Sequence, residues 1–131
     1  EYPMAHRSSN IIPSIKKEDW SSEHRISMPS GIQDLLVIGT LLCEASYKRK
    51  EGCEQLAERH VLVALYKTQK THKFIAYFRS KTTHPEEDYP LRDKGEWKLC
   101  DTIQDVIEFL QFGILSKALC KAVGIDAARN V

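Results

Sequence analysis

The chain has 131 residues, 42% hydrophobic and 28% charged, and its 19 Lys and Arg balance 18 Asp and Glu to a formal charge of +1. Those values fit one globular domain able to bury a core of its own, and they exclude collagen, a coiled coil and a fully disordered chain. The chain opens on Glu1 without a basic and apolar leader, which reads as a piece of a larger protein. Its longest strongly apolar stretch, 35–43, is about half the roughly 20 residues that span a bilayer, so no membrane segment is expected.

Residues 1–29 hold Pro3, Pro13 and Pro29, six serines, and four basic against four acidic residues. This composition predicts an extended arm or linker, able to dock through Ile11, Ile12, Ile15 and Trp20. A single α+β domain is expected over 30–131. It opens with a helix capped by the Ser30 hydroxyl, with Gln33 as the capping-box partner. Ile32, Leu35, Leu36, Gly39, Leu42 and Cys43 recur at helical spacing, and Val37, Ile38, Leu41 and Ala45 widen the stripe almost to the full circumference. Lys48, Arg49 and Lys50 suit the C-terminus of such a helix. The stretch 51–60 predicts a second, polar helix.

At Val61 the period changes. The segments 61–66 and 74–78 are β-branched and aromatic, and the polar turn TQKTHK lies between them, so a β-hairpin with two largely apolar faces is expected. A long loop over 80–95 carries the acidic run PEEDYP, and a short strand over 96–100 carries Trp97. Asp101 and Thr102 cap a second long helix, with Asp105 as box partner of Thr102 and Gly124 as its stop. The predicted fold is therefore α+β: a small antiparallel sheet, made of a hairpin and a third short strand, packed by two long apolar helices in the order α-(α)-β-β-β-α, with an extended N-terminal arm. That order resembles the topology of double-stranded-RNA-binding domains, although Asp101 and Asp105 stand where a basic helix start would grip phosphates. KFIAYF resembles the aromatic strand of RNA-recognition folds without its glycine.

No motif forces a chemistry. The four cysteines, Cys43, Cys53, Cys100 and Cys120, include no CxxC pair, so no zinc signature is present and no metal or cofactor is expected. Three of them lie in apolar runs, which reads as reduced, buried thiols and an intracellular location, in cytoplasm or nucleus. Cys53, Cys100, His60, His72 and His84 are ingredients for a cysteine–histidine pair, and Cys53 with the three histidines for a metal cluster, but no local context joins them, so no catalytic residue is assigned. The six glycines are scattered and form no phosphate-cradling loop.

Excess apolar surface on a short chain points instead to a non-enzymatic interaction or regulatory module whose partner is another protein or a second copy. Its expected contacts are the loop over 84–97, with Tyr89 and Trp97 as anchors beside Glu86, Glu87 and Asp88. The competing expectation is RNA or single-stranded DNA. Residues 61–81 contain Lys67, Lys70, Lys73, Arg79 and Lys81 and no acid, whereas 82–131 holds six basic and nine acidic residues. Tyr77 would then supply a stacking face among those cations.

Overall fold

The computed structural model describes residues 13–17, 22–51, 53–84, 92–110 and 114–124. Its centre is an antiparallel sheet. The strands are β1 (Ser14–Lys17), β2 (Ser22–Ile26), β3 (Leu35–Glu51), β4 (Ala57–Thr68), β5 (Phe74–Thr82) and β6 (Asp93–Cys100). Strand β3 pairs β4, β4 pairs β5 and β5 pairs β6, while β1 and β2 lie in succession along the outer edge of β3.

The predicted fold class is corrected on both of its helices. The segment expected to form the first long helix is β3, the longest strand. An apolar run that covers every side of a helix also fits a strand buried on both faces, and β-branched Val37, Ile38 and Thr40 favour the strand. Ser30 caps nothing: Pro29, Ser30, Gly31 and Ile32 form a turn closed by the Ile32 N–H on the Pro29 carbonyl (3.0 Å). Gly31 takes the positive φ such a turn requires at its third position. The polar helix expected over 51–60 reduces to a single 3-10 turn, Cys53–Gln55, between β3 and β4. With the leading helix gone, the topological likeness to double-stranded-RNA-binding domains goes too. Two stretches of the predicted arm are strands that pair with β3.

The second long helix is two short ones, α1 (Ile103–Leu110) and α2 (Ile114–Ala122). Their ends follow the expected chemistry. The Asp105 N–H donates to Thr102 Oγ1 (3.2 Å), and Gly124 adopts φ 78° just past α2. The buried Ser116 hydroxyl donates to the Leu110 carbonyl (2.8 Å), satisfying one of the carbonyls that α1 leaves without a helical partner. The hairpin over 61–66 and 74–78 and the strand over 96–100 all fall inside observed strands.

The sheet has two differently covered faces. On one, Cys43, Ala45, Val63, Leu65, Ala76 and Cys100 pack under Val106, Leu110, Leu115 and Leu119 of the two helices. On the other, Val37, Leu41, Ala64, Tyr66, Ile75 and Tyr77 form a second core with Ile26 and Met28. A bulge between Leu41 and Cys43 lets β3 serve both: Leu41 pairs Tyr66 on one face, and Cys43 pairs Leu65 on the other. The connection between β2 and β3 folds across this second face to β6, where Pro29 and Met28 lie against Gly95.

Candidate functional site

The second face shows why several basic residues are not free for a ligand. Strand alternation puts Tyr77 and Arg79 on this face, beneath the β2–β3 connection. The Tyr77 hydroxyl donates to the Ser27 carbonyl (2.6 Å), and Arg79 Nη1 donates to the same carbonyl (2.7 Å) and to Ser27 Oγ (2.9 Å). Arg79 also holds Asp93 of β6 in a two-pronged pair, Nε to Oδ1 at 3.1 Å and Nη2 to Oδ2 at 2.9 Å. The Asp93 hydrogen bond raises the Arg79 pKa, and burial pushes the Tyr77 hydroxyl up. Together they clasp the connection to the sheet.

Beside this clasp lies a cavity of about 310 Å³, bordered by Arg25, Glu44, His60, Tyr66 and Lys81. The cavity mixes cations with a carboxylate and sits at the small end of the range for ligand pockets.

The basic set divides between the two ends of the hairpin. Lys67, Lys70 and Lys73 gather at the β4–β5 turn, while Arg79 and Lys81 lie about 20 and about 26 Å beyond Lys73 along β5, at ~3.3 Å per residue. Lys67 stands over the Phe74 ring, 6.0 Å from its centre, and Lys73 pairs with Asp101 at 2.9 Å. Lys70 and Lys81 are exposed. Tyr77 is only 5% exposed, with its hydroxyl engaged, so it presents no stacking face.

Of the expected protein-contact set, Glu86, Glu87, Asp88 and Tyr89 lie outside the described residues. Trp97 lies on β6, which pairs with β5 on one side and has no strand on its other side among the described residues. Alternation sorts its side chains: Lys94, Glu96 and Lys98 share the helix-side face, and Gly95, Trp97 and Leu99 share the opposite one. Trp97 is 43% exposed and Leu99 48%, an apolar pair on an edge strand. Lys98 and Leu99 lie beyond the expected contact loop, and Glu96 lies within it without having been singled out. Their signal was the alternation in KGEWKL, which becomes meaningful only once this strand is known to end the sheet.

Burial pushes the Cys100 and Cys120 thiols up, opposite to the shift an activated nucleophile needs. His60 stands near the start of β4 and His72 in the turn beyond its far end, so the strand holds these two apart. Among the described residues, no group of three or more His, Cys, Asp and Glu could hold a metal ion, and no helix is long and apolar enough to cross a membrane. Comparison with known protein families, characterised proteins and solved structures finds no match to this chain.

Proposed function

We propose that the chain is a non-enzymatic protein-interaction module that receives a partner strand along β6. One observation carries this reading: Trp97 and Leu99 lie half-exposed, side by side, on a strand that ends the sheet among the described residues. An edge strand offers a row of backbone donors and acceptors to an incoming chain, and neighbouring apolar side chains add specificity. Exposed aromatic side chains are also the commonest anchors of protein interfaces. The buried thiols Cys43, Cys100 and Cys120, none of them in a disulfide, suit a reducing, intracellular setting.

Selection from a library of random extended peptides tests the reading. Bound peptides are expected to slow amide exchange within β6, and Trp97→Ala is expected to weaken them at least tenfold while leaving the unfolding midpoint near that of the wild type. Peptides that bind without protecting β6, or that ignore the Trp97 substitution, would remove β6 as the site.

A further inference from the structure

We infer that the strand received by β6 is β6 of a second copy of this chain, paired antiparallel about a two-fold axis at Trp97. The inference rests on the strand-addition reading above and supplies its partner. Three properties of the edge lead to it.

The pleat supplies the first. Residues directly opposite in an antiparallel pair point to the same face, so a symmetric pairing must be centred on a residue and not between two. Centring on Glu96 sets Glu96 against its own copy and Lys94 against Lys98, which like-charge repulsion disfavours. Centring on Gly95 sets Glu96 against Lys94, but it also sets Trp97 against Asp93, the carboxylate already held by Arg79, and Lys98 against Arg92, a like charge that precedes β6.

Centring on Trp97 resolves every position between Lys94 and Cys100. Glu96 faces Lys98 of the other copy, and the two-fold repeats that ion pair. Trp97 faces Trp97 across the axis, an aromatic cross-strand pair on the face where both are half-exposed. Leu99 faces Gly95, where Pro29 and Met28 of the crossing connection already cover the place a side chain would take, so Leu99 is set against that apolar cover.

Charge supplies the third property. Lys94, Glu96 and Lys98 are exposed, and within one copy Glu96 meets Lys94 only at 3.9 Å. An alternating charge row blocks pairing with unrelated strands while allowing its own antiparallel mate, which combines attraction with specificity. The edge is short compared with the surfaces of tight dimers, so the association is expected to be of roughly micromolar strength.

Sedimentation equilibrium over about a hundredfold range of concentration around 10 μM tests this. The wild type is expected to pass from monomer to dimer. Glu96→Lys alone places lysine against Lys98, and Lys98→Glu alone places glutamate against Glu96. Each should raise the dissociation constant at least tenfold. Mixed in equal amounts, the two variants restore both ion pairs, and dimers should return to near wild-type strength.

A wild type that stays monomeric, a mixture that fails to recover, or a Lys98→Glu variant that dimerises like the wild type each overturns the pairing at Trp97. The last outcome would match the Gly95-centred register instead. If dimerisation fails while selected peptides still protect β6 in a Trp97-dependent manner, strand addition stands and only the second copy as partner falls. Failure of both removes β6 as an interaction site.

Discussion

Glu51 at the end of β3 illustrates how one side chain can carry a pH dependence. Thr82 Oγ1 donates to one carboxylate oxygen, and Arg59 Nε donates to the other at 3.1 Å. Arg59 is itself fixed by Ser80, whose hydroxyl accepts from Nη1 at 2.8 Å. The Thr82 hydrogen bond, helped by Arg59 and opposed by burial, holds the Glu51 pKa below its ordinary value of 4.5. A carboxylate whose pKa is lower in the fold stabilises the protein above that ordinary value. It loses this contribution as the pH falls from 4.5 toward the folded value. Urea midpoints of Glu51→Gln should therefore change less between neutral pH and acid below that range than those of the wild type. An identical pH dependence would show that another group carries it. None of this contact was legible in the sequence, because Glu51, Arg59 and Thr82 meet only through the register of three strands.

At the scale of elements, β3 is the instructive case. Leu35, Leu36, Gly39, Leu42 and Cys43 match a helical stripe, yet in the strand Leu35 packs with Val37 and Leu41 against one core, Leu42 and Cys43 serve the other after the bulge, and Leu36 stays half-exposed. Period alone does not separate a helix apolar all round from a strand buried on both sides. The β-branched residues and the Pro-Ser-Gly turn before the strand were the local signals against a helix.

Gly39, part of that stripe, has a different role in the strand. A Cβ there would lie 2.1 Å from the backbone carbonyl oxygen of Lys67 and 3.0 Å from Thr68 Cα. Gly39→Ala must push two central strands apart, and overpacking of that kind costs about 1–3 kcal/mol. Chemical denaturation should show the loss, whereas an unchanged midpoint would mean that β3 and β4 separate freely at this point. The hairpin, the third strand, the Thr102 cap and the Gly124 stop were legible because turn chemistry and capping are local.

At the scale of the whole molecule, the acid-free stretch over 61–81 loses its coherence as a surface. A hairpin with five cations looks like one basic patch in the sequence, but its strands carry the charges to opposite ends and opposite faces. Arg79 is spent on Ser27 and Asp93, Lys73 on Asp101, and Tyr77 is buried. Nucleic-acid affinity grows with the number of phosphates contacted together, and so does its salt dependence. Labelled single-stranded RNA is therefore expected to show no salt-dependent anisotropy change with the wild type, and Lys70→Glu is expected to alter nothing. Steep salt-dependent binding lost in Lys70→Glu would instead make the turn a nucleic-acid site.

The sequence by itself determined the features that depend on neighbours along the chain: an apolar core, the β4–β5 hairpin, the cap of α1, the stop after α2 and the absence of a phosphate loop or zinc motif. It also carried the alternation of charge and apolar side chains that marks β6. Tertiary structure alone decided that the run over 35–51 is a strand, that Arg79 and Tyr77 fasten a connection, and that β6 ends the sheet among the described residues. The physical reason is the range of the forces involved. Caps and turns are set by hydrogen bonds a few residues apart, whereas a strand's identity, its partners and its exposed edge depend on pairings between residues far apart in the chain.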